Sequence, residues 1–123
     1  MSLLIAKAFF LLLRFDWYLE RGDFERLYTK VRECRVARRS SRFSLDQLCR
    51  ALDVAAIWYP KQVLCLQRSA ATVCLLRAHG VSAQLVLGAQ RLPFKAHAWV
   101  EIDGLVVGDR SYVPELYAVL DRC

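Results

Sequence analysis

Ala96-His97-Ala98-Trp99-Val100-Glu101 reads as a strand with two unlike faces. Side chains alternate across a strand, so Ala96, Ala98 and Val100, continued by Ile102, share one face, while His97, Trp99 and Glu101 share the other. The small apolar face suits packing on helices. The other face must be polar, functional or covered by a further element. Asp103-Gly104 follows as a hairpin signal, because tight two-residue turns favour Asn or Asp followed by Gly. Leu105 to Asp109 then returns as a strand. Upstream, Ala83 to Gly88 reads as the first strand, Ala89 to Pro93 as its loop, and Phe94 to Ile102 as the second strand. Tyr112 to Leu120 is a last short strand or helix.

Before Val81 the apolar period is helical. Asp23 can cap a helix carrying Phe24, Leu27, Tyr28 and Val31. Ser44 with Gln47 makes a capping box and Phe43 with Leu48 the matching hydrophobic staple. That helix should bury Leu45, Leu48, Leu52 and Ala55/Ala56, and Pro60 stops it. Lys61 to Leu64 is an extended connector. The next helix starts at Cys65, with Leu66, Ser69, Ala70, Val73 and Leu76 along one side. His79-Gly80 ends it, the glycine in the left-handed position and the histidine as a partly cationic group near the C-terminus. Helices followed by an antiparallel sheet make the chain α+β, with the helices on one face of the sheet.

The 123 residues contain no Pro/Gly/Ser-rich linker, so one domain, residues 1–123, is expected. An apolar fraction of 56% is ample for a packed core and excludes disorder. The net charge of +6 gathers at Arg32, Arg35, Arg38, Arg39 and Arg42. Such a stripe could attract nucleic acid, anionic lipid or an acidic peptide, but a solvated helix face running into a loop is the preferred explanation. No nucleic-acid signature accompanies it, so no nucleic-acid partner is expected. Leu3 to Phe15 is apolar but interrupted by Lys7 and Arg14 and too short to span a bilayer. A core or partner-facing helix is expected there rather than membrane contact.

Five cysteines with no CxxC pair argue against both a zinc site and a disulfide framework, and for a reduced, cytoplasmic protein. No metal or cofactor is expected. Cys34, Cys49 and Cys74 read as small core residues, and Cys123 as a frayed end. Cys65 differs because it opens a helix, where free backbone N–H groups and the helix dipole favour a thiolate and can hold an oxyanion. His97 can activate that thiol. Its carboxylate partner is open on sequence alone. In perfect hairpin register Asp109 faces away from His97, but a bulge or strand end at Gly108 turns it back. Glu101 shares the face of His97 and ranks second, and Asp103 is explained by its turn. His79 is explained by its helix end.

Cys65-Leu66-Gln67-Arg68-Ser69, Leu75-Leu76-Arg77-Ala78-His79-Gly80-Val81, Ala96-His97-Ala98-Trp99-Val100-Glu101 and Gly108-Asp109 together resemble the transglutaminase-like superfamily. More narrowly they resemble the lasso-peptide "B2" leader peptidases, which are related to the C-terminal half of the microcin J25 maturation protease. The resemblance covers roughly residues 40 to 115. It implies a papain/transglutaminase-like cysteine protease fold, with residues 43–123 as the catalytic core and the helices of residues 1–42 as a partner-docking region. It also implies Cys65 as nucleophile, His97 as general base and acid, and Asp109 orienting the imidazole. The partners it implies are a leader-binding recognition-element ("B1") protein, a lasso precursor peptide and a macrolactam-forming cyclase. Gln62 is a candidate oxyanion donor and Trp99 a candidate substrate contact. Another thiol acyl-transfer enzyme on this fold, such as a transglutaminase, an amidase or an N-acetyltransferase, would use the same three residues. A non-catalytic peptide-binding scaffold is the third reading.

Overall fold

The helix that begins at Cys65 is enclosed by other elements, and the chain is built around it. The computed structural model describes residues 2–39, 41–90, 94–109 and 113–123. In chain order the elements are α1 (Ser2–Glu20), α2 (Phe24–Glu33), α3 (Leu45–Trp58), α4 (Cys65–Ala78), β1 (Ala83–Gln90), β2 (Lys95–Ile102), β3 (Leu105–Val107), α5 (Val113–Leu116) and β4 (Ala118–Arg122). The strands form one antiparallel sheet in the order β3-β2-β1-β4, so the architecture is α+β.

The expectation of a one-sided α4 is corrected. Residues 69–76 of α4 are all buried, because α1 and α3 pack on one side and β1 and β2 on the other. Ala98 and Val100 of β2 join Leu12, Phe15, Leu48, Ala70, Val73 and Leu85 in one apolar cluster. That cluster runs from Leu4 of α1 to the sheet, so the first helix contributes its inner stripe of Leu4, Ala8, Leu12 and Phe15 to the core. Among the described residues no helix is long and apolar enough to cross a membrane.

Local signals set the boundaries. Asp23 accepts from the Arg26 amide at the start of α2. Ser44 and Gln47 form a reciprocal capping box at α3, and Tyr59 turns extended at ψ 136° ahead of Pro60. Leu45 departs from expectation: it is exposed, and Ala51 takes its place in the core. Asp103 and Gly104 adopt φ of 51° and 80°, the doubly left-handed turn that a two-residue hairpin needs. The strand after this turn is shorter than Leu105 to Asp109 and ends at Val107. The last segment contains both alternatives, a helical turn and then β4, with Tyr112 outside the described residues. The loop expected at 89–93 is shortened, since β1 runs on to Gln90 and residues 91–93 lie outside the described ones. Cys123 is not frayed, because its backbone exchanges hydrogen bonds with Leu85 at 2.7 and 2.9 Å.

His79 is also corrected. Burial, and secondarily the charge of Lys7, lowers its pKa and so disfavours the cationic form expected there, and its Nδ1 lies 2.8 Å from Ser41 Oγ in a hydrogen bond.

The connector into α4 is tied to α1 by polar contacts. Tyr59 donates its hydroxyl to Asp16 at 2.5 Å, and Lys61 pairs with Asp16 at 2.9 Å and with Glu20. Burial, then the Asp16 carboxylate, pushes the Tyr59 phenol up to about 12. A phenol whose folded pKa exceeds its unfolded value stabilises the fold fully below the unfolded pKa, and that stability is lost as pH rises through the folded value. Urea denaturation should therefore show a decline in stability between about pH 10 and about pH 12 that is shallower in Tyr59→Phe. At neutral pH the same variant should cost about 1 kcal/mol, the worth of one hydrogen bond.

Candidate active site

Cys65 is the first residue of α4, and its side chain is exposed. Its helix lacks a side-chain cap from the residue before it, Leu64, which has no acceptor to offer. Gln67 compensates from inside the first turn. Its Oε1 accepts from the Leu64 amide at 3.2 Å, and its Nε2 donates to the Leu12 carbonyl of α1 at 2.9 Å. Gln67 is buried, so both ends of its amide are satisfied away from water. The first amides of α4 point out of the helix end beside the thiol by helix geometry, which makes this terminus a site for negative charge.

The sheet side of the site depends on where β3 stops. Val100 pairs with Val107, and Gly108 follows at a φ of 73°, a left-handed conformation suited to glycine. The chain there leaves ideal hairpin register, and Asp109 turns back toward β2. His97 Nε2 and Asp109 Oδ2 lie 2.6 Å apart. With Nε2 engaged by the carboxylate, Nδ1 is the other ring nitrogen available for proton transfer.

Cys65, His97 and Asp109 line one cleft of about 340 Å³, together with Ser69, Arg68 and Cys49. Ser69, one turn after Cys65, donates its buried hydroxyl to the Ala98 carbonyl at 3.1 Å, so the helix of the cysteine is bonded to the strand of the histidine. Arg68 forms an ion pair with Asp53 of α3, both also lining the cleft. The contacts made by Gln67 and Ser69, and the Arg68–Asp53 pair, were not evident from the sequence, although all three α4 residues belong to the motif that begins at Cys65. Only Gln67 carried a signal, since glutamine at the third helical position is what a capping box uses.

The remaining candidates lie elsewhere. Gln62 is exposed on the connector and lines a separate depression with Asp16, Glu20 and Leu64. Trp99 is buried, lines the cleft behind His97 and stacks beside it, with ring centroids 6.0 Å apart. Glu101 is buried and bonded to Trp99 instead of His97. Cys49 shares the cleft, but burial and then the charges of Asp53 and Asp46 raise its pKa. Cys34 is held below the ordinary thiol range, first by its hydrogen bond with Cys74, which keeps the Cys74 proton on.

An exposed thiol at a helix N-terminus thus shares a cleft with a carboxylate-bound imidazole. The family model described as the transglutaminase-like superfamily matches residues 9–122, reaching back into α1 and well beyond the segment of residues 40 to 115. Among curated proteins, the chain is 34% identical over 56 residues to the microcin J25-processing protein McjB of Escherichia coli, covering 46% of this chain and 27% of McjB. The chain thus matches only about a quarter of that relative's length. No solved structure matches it. With nearly its whole length matched by the family model, the chain belongs to the transglutaminase-like superfamily.

Proposed function

We propose that this protein is a cysteine peptidase that removes the leader from a ribosomally made lasso-peptide precursor, with Cys65, His97 and Asp109 as its triad. The observation that carries the reading is the 2.6 Å His97–Asp109 contact opening on the same cleft as the exposed, helix-initiating Cys65. The similarity to a protein named for processing microcin J25 supports the substrate class.

In this reading Asp109 holds the imidazole by Nε2 and stabilises its cation. His97 Nδ1 takes the Cys65 proton, and the thiolate attacks the carbonyl carbon at the leader–core junction. The developing oxyanion is met by the free amides at the start of α4. The imidazolium then protonates the leaving amine, which becomes the new N-terminus of the core peptide. Water, deprotonated by His97, hydrolyses the thioester and frees the leader. A neighbouring cyclase would close the macrolactam on that new amine.

The cleft is small for a long leader, so leader capture falls to a separate recognition-element protein. The outer face of α1 is a suitable seat for it. Phe10, Leu13 and Trp17 are exposed there along a groove of about 900 Å³ that Lys7, Arg14 and Arg26 also line. Contiguous exposed apolar surface of this kind marks interaction sites. Arg35, Arg38 and Arg39, exposed in the segment after α2, add positive charge for acidic residues of the leader.

Thiol labelling tests the site. Iodoacetamide at about pH 6 should alkylate Cys65 rapidly in the native protein and much more slowly in His97→Ala. Cys49 should stay unlabelled in both, and Cys34 should label equally in both. Equal labelling of Cys65 in the two proteins, with and without the partner, would exclude a histidine-activated nucleophile. In the complete mixture of precursor and partner, mass spectrometry should find a new N-terminus at the junction and no amide to an added labelled amine. An amine adduct would make the enzyme a transferase.

The docking role of the basic segment has its own test. Replacing Arg35, Arg38 and Arg39 together with serine should slow precursor cleavage about tenfold or more in that mixture while Cys65 labelling stays intact. Unchanged cleavage would remove the segment from the recognition surface.

A further inference from the structure

Glu101 is a buried carboxylate beside the proposed active site. It is 3% exposed, and its Oε2 accepts the Trp99 indole N–H at 2.8 Å, while its Oε1 lies 3.6 Å from the guanidinium of Arg122 on β4. Trp99 in turn lies nearly parallel to the His97 ring, at 26° between planes and 6.0 Å between centroids. Tyr117, immediately before β4, meets both rings, at 5.4 Å from His97 and 6.1 Å from Trp99. Room for this cluster comes from β1. Gly88 pairs with His97, and a Cβ on it would lie 2.7 Å from two Trp99 ring atoms and 2.8 Å from Tyr117 Cβ.

A buried carboxylate paired with a half-exposed arginine is a costly way to fill a sheet face, since apolar side chains of the same volume stabilise as well or better. An anchor that fixes one ring in one orientation is what such a pair provides and a hydrocarbon does not. Asp109 restrains the imidazole at one ring nitrogen, which leaves rotation about that contact to be limited by ring packing. We infer that Glu101 is a positioning residue: clamped by Arg122, it locks the Trp99 indole against His97 and so holds Nδ1 toward Cys65. This rests on the reading of Cys65 and His97 as the reacting pair. It also gives the carboxylate that shares the face of His97 a role different from that of Asp109.

The test follows the rate of Cys65 alkylation by iodoacetamide from about pH 4 to about pH 9. Wild type is compared with Glu101→Ala, Glu101→Gln and Trp99→Phe, each held well below its own melting temperature. Glu101→Ala should slow labelling at about pH 6 by ten- to a hundredfold and move the half-maximal pH upward, as expected when a reacting group is misplaced by a fraction of an ångström. Glu101→Gln keeps an acceptor for the indole and should recover most of the rate. Trp99→Phe keeps a ring and the Glu101–Arg122 pair but deletes the N–H, and should fall between wild type and Glu101→Ala. In precursor cleavage the loss should appear in kcat, with KM little changed.

A folded Glu101→Ala variant with the wild-type pH profile would make Glu101 a structural residue only and overturn the inference. Should Glu101→Ala fail to fold, a wild-type profile in Trp99→Phe would overturn it equally. If labelling in the wild type does not depend on His97 at all, the peptidase reading falls and this inference with it. Labelling that depends on His97 but is unchanged in the Glu101 and Trp99 variants overturns this inference alone and leaves the peptidase reading standing.

Discussion

A helix enclosed along its middle can meet solvent only at its ends, and the structure is arranged around that constraint on α4. Residues 69–76 are buried between α1 and α3 on one side and the sheet on the other. Cys65, the first residue, is where this helix emerges. An exposed helix start is normally its weakest part, because its first amides lack intrahelical partners. Here the turn is secured from neighbouring elements instead. Gln67 joins it to the Leu12 carbonyl, and the incoming connector is tied to α1 through Tyr59, Lys61 and Asp16. The amides beside Cys65 can thus stay free for a ligand without the helix end fraying. The family match takes in α1 from residue 9 onward, including Leu12, whose carbonyl accepts from Gln67.

The sheet answers the helix by ending early. β3 spans only Leu105–Val107, so β2 runs past it, and the cleft opens where that pairing stops. The two faces of β2 then do different work. Ala98 and Val100 are small enough to let α4 come close, and the Ser69 hydroxyl takes the Ala98 carbonyl. Trp99 and Glu101 form a second, smaller cluster behind the sheet with Val86, Val106, Tyr117 and Arg122. His97 stands at the boundary of the two, half-buried beside Asp109.

Much of this was legible in the sequence wherever the deciding interaction is local. Strand alternation, the Asp103-Gly104 turn, the Ser44–Gln47 box and the helix start at Cys65 are each set within a few residues. What escaped depends on partners far along the chain. Enclosure of α4 needs α1 and the sheet at once, and a helical period with an apolar stripe says nothing about what covers the opposite side. The Gln67–Leu12 bond joins residues 55 positions apart, and Glu101–Arg122 joins two strands that are not neighbours in the sheet. The direction of Asp109 was open for another reason: it depends on the conformation of a single residue, Gly108, which can turn either way.

The five cysteines share a residue type but differ sharply in environment. Five thiols occur in a short chain, and two of them, Cys49 and Cys65, line the same cleft. Cys49 sits within α3, half-buried, with Asp46 and Asp53 close enough to disfavour its thiolate. Cys74 is enclosed in α4 and holds its proton toward Cys34. Cys34 is acidic for a thiol, but it lies at the far end of α2, away from His97, and its anion is occupied by the Cys74 hydrogen bond. Cys123 is locked into the sheet edge beside Leu85, with burial raising its pKa. Cys65 alone combines exposure, a helix N-terminus and a cleft shared with the carboxylate-bound imidazole. Of the five, only the first residue of α4 brings an exposed thiol to the cleft that His97 and Asp109 line, and the proposed covalent chemistry depends on that combination.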